Sequence, residues 1–252
     1  MKIVVIGGTG LIGSKLLKKL GHDGHEAVAA SPGTGVNALT GEGLAKVMTG
    51  TDVVVDVSNS PSVKADSAQS FFETSTRNIL GAEADAGVAH HVTLSVVGTD
   101  RLSESSYFRG KISQECLIAA SSVPHSIVRA TQFFEFIEGI ADAATDGDTI
   151  RLAPVLIQPI AVDDVANAVG KTAVGAPLDG IVEVAGPEQF RLDELVRQRL
   201  AVRNDPREVI GDPTARYFGA QLSERTLVPE GDAMLGETRF ADWQSNNLAL
   251  PL

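Results

Sequence analysis

The opening twenty residues constrain this chain more than any other stretch. Lys2-Ile3-Val4-Val5-Ile6 is a short, mostly β-branched apolar run. Strands buried on both faces look like this, and such strands belong to parallel sheets. Gly7, Gly8, Gly10 and Gly13 follow at once, and Leu11, Ile12, Leu16, Leu17 and Leu20 then recur at helical spacing. A buried strand therefore turns into a helix through glycines. Parallel pairing with the next strand requires a right-handed crossover through that helix.

Glycine permits positive φ and close approach of another backbone or a ligand. A helix start presents unpaired N–H groups and a partial positive charge, which together favour a phosphate. The spacing Gly7-x-x-Gly10-x-x-Gly13 departs from G-x-G-x-x-G, but its place between strand and helix gives it the same meaning. Gly7, Thr9, Gly10, Leu11, Ile12 and Gly13 are the candidate cradle for a dinucleotide diphosphate. A second strand, His25 to Ser31, breaks at Ser31-Pro32-Gly33-Thr34-Gly35. At this point an acidic residue would take the ribose of NAD and a basic one the extra phosphate of NADP. Neither is present. The missing carboxylate permits NADP, with Ser31 and Thr34 able to meet its phosphate, so the expectation leans slightly to NADP over NAD.

The alternation continues. A short helix is expected over Gly41 to Met48 and a third strand over Thr51 to Val57, with an unusual Asp56 inside it. Ser58-Asn59-Ser60 follows at the carboxyl edge, where open α/β sheets hold their ligands, so Ser58, Asn59 and Ser60 are candidate cofactor contacts. A helix from Lys64 to Ala86 should bury Ala68, Phe71, Phe72, Ile79 and Leu80. A strand from His90 to Val97, a helix from Tyr107 to Ser122 and a strand from His125 to Ala130 complete the pattern, which predicts an α/β fold with a doubly wound parallel sheet. Regular alternation ends near residue 130. One domain spanning 1–252 is expected, with about 131–252 forming a small lobe over the ligand edge and a short helix near Met234. Gln132, Phe133 and Phe136 are candidate substrate-pocket residues, and Phe134 and Trp243 are further candidates for its apolar wall.

Tyr107-Phe108-Arg109-Gly110-Lys111 has the form Tyr-x-x-x-Lys, which puts both side chains on one helix face. An ammonium beside a phenol stabilises the phenolate and lowers its pKa, and a phenol nearer neutrality can exchange a proton with a carbonyl oxygen. Ser95, at the end of the fourth strand, can bond the same oxygen. Tyr107, Lys111 and Ser95 are thus the candidate catalytic set.

Composition narrows the partners. A formal net charge of −11 disfavours nucleic acid and anionic membranes, both of which reward a basic face. The single cysteine, Cys116, excludes an intrachain disulfide, fits a reducing cytoplasm and reads as a packed core thiol. Adjacent His90 and His91 point to opposite faces of a strand, so no metal site is read from them. No apolar run approaches the roughly 20 residues of a membrane span. A small-molecule substrate is the expected partner, and assembly into a homo-oligomer is compatible with the sequence.

The chain resembles the short-chain dehydrogenase/reductase superfamily, in its atypical branch of NmrA-like and NAD(P)H-binding proteins. The resemblance rests on GGTGLIG at Gly7 to Gly13, LSVVGTDRL at Leu94 to Leu102, YFRGK at Tyr107 to Lys111 and SIVRATQFFEF at Ser126 to Phe136. PIAVDDVANAV at Pro159 to Val169 and VEVAGPEQFRLDEL at Val182 to Leu195 add to it, so it covers about residues 2–200. It implies a Rossmann fold with NAD(P) across the strand ends, Ser95, Tyr107 and Lys111 as the reductase set, and Lys111 also on the nicotinamide ribose. Ser31-Pro32 replaces the arginine that many members carry for NADP. Ser58-Asn59-Ser60 stands in place of the Asn-Asn-Ala-Gly run of the typical reductases. Members that act as regulators often lack the tyrosine present here. The expected activity is NAD(P)-dependent hydride transfer to or from a carbonyl or quinone-like small molecule, with Tyr107 as acid/base. The alternatives are a non-catalytic NmrA-like sensor of the nicotinamide pool and, disfavoured by a short C-terminal lobe, epimerase or dehydratase chemistry on a nucleotide sugar.

Overall fold

Five strands carry the sequence-legible half of the chain: β1 (Lys2–Ile6), β2 (Glu26–Ala30), β3 (Val53–Asp56), β4 (His90–Val96) and β5 (His125–Ala130). In the computed structural model, which describes residues 1–60 and 65–247, they join a seven-stranded sheet. Its order is Met234–Leu235, Gly180–Ala185, β5, β4, β3, β1, β2. Every neighbouring pair is parallel. Ile3, Val4 and Val5 are completely buried, because helices cover both faces of the sheet. Each such side chain contributes roughly 1.5–3 kcal/mol by leaving water.

Helices α1 (Leu11–His22), α2 (Leu44–Met48), α3 (Ala65–Ala86) and α4 (Ser106–Ala119) connect β1 through β5. Beyond β5 come α5 (Ile137–Ala143), α6 (Val162–Val174), α7 (Leu192–Arg203) and α8 (Phe240–Asn246). One face of the sheet packs Ile3 and Val5 against Leu16 of α1 and Val165 and Val169 of α6. The other packs Val4 and Ile6 against Met48 of α2 and Ile79 of α3. Within α3, Ala68, Phe72 and Ile79 are buried as expected, while Phe71 and Leu80 are only partly so, and the expected first residue, Lys64, lies outside the described residues.

Beyond residue 131 the chain divides its work. α6 and the strand Gly180–Ala185 continue the central layers, so the alternation runs past residue 130. The residues near Met234 form the last strand of the sheet rather than a helix, since Met234–Leu235 pair with Val184–Ala185. The rest builds a second core around Phe134, Ile137, Leu195, Phe240 and Trp243. Thr145–Asp146, Thr149–Leu152 and Glu208–Gly211 make a small sheet there, and Arg216–Tyr217 pairs with Ala220–Gln221 as a hairpin. Trp243 and Phe134 stack in this core with ring centroids 5.3 Å apart, and the Trp243 indole N–H donates to Glu135, so neither ring walls the ligand edge. Cys116 is exposed: it sits on the solvent face of α4, whose inner face belongs to Lys111, Gln114 and Glu115.

Candidate active site

The strand order reverses between β1 and β3, and open α/β sheets hold ligands in the crevice outside such a switch point. There Gly7, at φ +79°, passes so close to the chain after β3 that an added Cβ would lie 2.9 Å from Ser58 Cα. Gly13 is packed tighter still: a Cβ would sit 2.3 Å from the Gly7 carbonyl oxygen. Gly10 differs, since a Cβ there would meet only the Gly7 oxygen, at 3.2 Å. Its open side faces a groove of about 860 Å³ running along the carboxyl edge of the sheet. Gly7, Thr9, Gly10, Leu11 and Ile12 line this groove, while Gly13 shapes the turn from behind.

At the end of β2, the Ser31 hydroxyl accepts the Thr9 N–H at 3.3 Å. Pro32, Asn37, Ala38 and Leu39 continue the lining there. Thr34 is turned back on its own strand end, donating to Ala29 O and Ser31 O. Among the described residues no charged side chain lines this end. Ser58 and Asn59 line the groove, and Ser60 stands just outside it.

The central part of the groove belongs to α4. Gly110 lets α4 approach α3, where a Cβ would be 2.8 Å from the Phe72 ring and 3.1 Å from the Ala68 carbonyl. That approach sets Tyr107 and Lys111 over the ends of β3 and β4. The Tyr107 hydroxyl donates to Asn59 Oδ1 at 3.2 Å, and its ring meets Phe72 edge to face. Lys111 Nζ donates to Leu94 O at 2.9 Å and to Gln114 Oε1 at 2.8 Å, and lies 4.4 Å from the centre of the Phe72 ring. Gln114 Nε2 in turn donates to Asp56 Oδ2 at 3.0 Å, and Asp56 Oδ1 accepts the Ser58 N–H. The carboxylate that looked odd inside an apolar strand thus anchors both the lysine and the loop.

Burial governs both titrating groups. It pushes the Tyr107 phenol up to about 12 against the smaller pull of the Asn59 bond. It pushes Lys111 down to about 8, with Asp56 and Glu115 opposing. The expected lowering of the tyrosine by its lysine neighbour is therefore not found, because Lys111 aims its ammonium at Leu94 and Gln114. Ser95 lines the groove, but its hydroxyl is engaged elsewhere. Its hydroxyl donates to Glu115 Oε1, and Glu115 forms a two-point ion pair with Arg129.

Past Tyr107 the groove widens among aromatic rings. Gln132, Phe133 and Phe136 line it, held by a segment whose Phe134 N–H donates to Ile160 O and whose Gln132 O accepts the Ile160 N–H. Tyr217 and Phe218, at the tip of the lobe hairpin, close the far wall. Sequence reasoning passed over both, although Tyr217 is the second of only two tyrosines and Phe218-Gly219 is a turn with positive φ at both residues. Among the described residues no cluster of His, Cys, Asp and Glu could hold a metal, and no helix is long and apolar enough to cross a membrane. His90 and His91 engage Ser126 and Glu83 respectively.

No protein-family model matches the sequence, and no curated protein matches it. Solved structures do. A short-chain dehydrogenase/reductase superfamily protein from Agrobacterium tumefaciens with bound NAD has a TM-score of 0.74 at 15% identity, over 98% of this chain and 96% of that one. MoeE5 in complex with UDP-glucose and NAD gives 0.73 at 17%, over 98% and 97%. The Thermus thermophilus UDP-glucose 4-epimerase in complex with NAD gives 0.69 at 18%, over 90% and 92%. Identities this low speak to architecture alone: the chain has the Rossmann-type α/β fold of these NAD-bound structures.

Proposed function

We propose that the protein is a nicotinamide-dinucleotide-dependent reductase of small carbonyl compounds. One observation carries this reading: a single groove joins a helix start opened by Gly10 to the Tyr107–Lys111 pair. The residues present fit a dinucleotide. The open side of Gly10 and the first turn of α1 suit the diphosphate, and the Ser31 hydroxyl, accepting from Thr9, keeps its proton for a ribose oxygen. With no cation among the described residues lining that end, an extra phosphate would lack a charged partner there, so the reading favours NAD(H) over NADP(H), reversing the slight lean of the sequence. Solved neighbours carrying NAD support it.

When bound, the reduced nicotinamide supplies a hydride. The chain supplies the proton. Burial disfavours the phenolate, so Tyr107 rests protonated and can give its proton to a carbonyl oxygen as hydride is added. A substrate oxygen replaces Asn59 as the acceptor of its hydrogen bond. Lys111, held by Leu94 and Gln114, lines the groove one helical turn from Tyr107, where its position suits contact with a ribose hydroxyl. Ser95, whose hydroxyl donates to Glu115, is not assigned a part in this step.

Calorimetry with NADH and NADPH tests the binding half. Heat of association with NADH is expected, and none with either dinucleotide overturns the reading. Tyr107→Phe is expected to lower turnover of a carbonyl panel by about 10²- to 10⁴-fold while NADH binding persists. An unchanged rate removes Tyr107 from the mechanism. Dinucleotide binding without turnover of any carbonyl, at affinities differing between oxidised and reduced forms, would instead mark a sensor.

A further inference from the structure

The wide end of the groove holds an unmet demand. Gln132 is 7% exposed, and neither its Nε2 nor its Oε1 has a hydrogen bond. The Thr131 hydroxyl beside it is also buried without one. The Gln132 amide pulls weakly on the Tyr217 phenol, but the two do not reach hydrogen-bond geometry. Buried amides are nearly always paired, and an unpaired one in a cavity wall needs an explanation. Tyr217 is itself buried, with its phenol pushed far up by desolvation and further by Tyr107, so the chain's two tyrosines face a common space. The hairpin tip is held at a conformational cost to get there: Phe218 has φ +46°, which an L side chain rarely adopts.

The surroundings define what enters. Phe108, Phe133, Phe136 and Phe218 supply flat apolar walls, with the Phe133 and Phe136 rings 5.2 Å apart and the Phe108 and Tyr217 rings 6.5 Å apart. Among the described residues Lys111 is the one charged side chain lining the groove, and two acceptors already hold it. MoeE5 was solved in complex with UDP-glucose and NAD; a second diphosphate here would find no arginine and no free lysine among the described residues that line the groove.

Resting on the reductase reading, we infer that the substrate is an uncharged aromatic carbonyl compound bearing a second oxygen. The reacting oxygen meets Tyr107, and the second pairs with the Gln132 amide beneath Tyr217. In the reaction the carbonyl carbon accepts a hydride as the nicotinamide is oxidised. The carbonyl oxygen takes the Tyr107 proton, and the phenolate regains one from water. Gln132 and Tyr217 orient the molecule and choose it over analogues that lack the second oxygen.

Equilibrium binding to the protein saturated with NAD⁺ tests this without requiring turnover. The probes are acetophenones and naphthalenones with a hydroxyl or second carbonyl at successive positions, each beside its analogue lacking that oxygen, together with UDP-glucose. At least one two-oxygen member is expected to bind about tenfold tighter than its analogue, and Gln132→Leu and Tyr217→Phe to shrink that gap. Gln132→Leu is also expected to keep or raise the melting temperature, because it removes an unpaired buried amide. A melting temperature that falls by several degrees makes Gln132 a structural residue and overturns the assignment. So does a series without any such gap, or tighter binding of UDP-glucose than of every aromatic probe. Failure to bind NADH in the first place would strike the reductase reading instead, and the two failures are separately visible.

Discussion

The two ends of the groove are built from different material. At the end proposed for the dinucleotide the surface is mostly backbone: Gly7 and Gly10, the first turn of α1 and a serine hydroxyl bonded to Thr9 N–H. At the substrate end it is side chain, brought in from α4, from the stretch after β5 and from a hairpin some 110 residues after Tyr107. A backbone site recognises what every dinucleotide shares and leaves little room for change. A side-chain site can be rebuilt around a new molecule while the first end stays as it is. The contrast predicts that substitutions at the first end cost the fold or the cofactor, and those at the second cost discrimination.

The largest effect should come from separating the glycines. Gly13→Ala drives a methyl toward the Gly7 carbonyl 2.3 Å away, a backbone collision that no rotamer relieves. A loss of roughly 3 kcal/mol and undetectable NADH binding are expected in denaturant melts and calorimetry. Gly10→Ala meets nothing but the Gly7 oxygen at 3.2 Å, so it should fold normally and bind NADH about tenfold more weakly, since its methyl stands where the diphosphate approaches. Equal stability losses in the two variants would break the division between a glycine that shapes the turn and one that admits the ligand.

Lys111 sits where the two ends meet, and its burial makes a pH signature. Burial brings its folded pKa down to about 8, from the 10.5 of an ordinary lysine. Between those values the unfolded chain holds a proton that the folded chain has released, so through this residue stability rises with pH. From pH 7.5 to 9.5 the gain should be about 2 kcal/mol. Urea melts of the protein and of Lys111→Met at both pH values measure it as a difference of differences. An equal pH response in the two proteins would mean that the ammonium is better solvated than its Leu94 and Gln114 contacts imply.

The same division explains what could be read in advance. The parallel sheet, its helical crossovers and the glycine turn into α1 were legible because each is local: β-branched runs, helical spacing and glycines announce themselves within twenty residues. Tyr107 and Lys111 were legible because four residues on a helix fix a shared face. Their chemistry was not, since the direction of each pKa depends on Phe72, Asp56 and Gln114 folding around them from other elements. The return of Met234–Leu235 to the sheet and the arrival of Tyr217 and Phe218 at the groove were illegible, being contacts between distant segments with no local period. Cys116 was misplaced for a related reason: α4 has little amphipathic contrast, because its buried face carries Lys111, Gln114 and Glu115.

Ser95 gives the smallest and most discriminating effect. Its neighbours in sequence, at a strand end near Tyr107, fit a catalytic hydroxyl; its bond to Glu115 fits a structural one. If the structural role holds, Ser95→Ala removes one buried donor from a carboxylate that still keeps two Arg129 bonds. That should cost about 1 kcal/mol of stability and change turnover by less than about threefold. A catalytic hydroxyl aimed at the substrate oxygen would give the opposite pattern, with turnover falling by about a hundredfold and stability hardly moving. The pair of measurements thus decides whether Glu115 releases the serine when substrate and cofactor fill the groove, or holds it throughout the cycle.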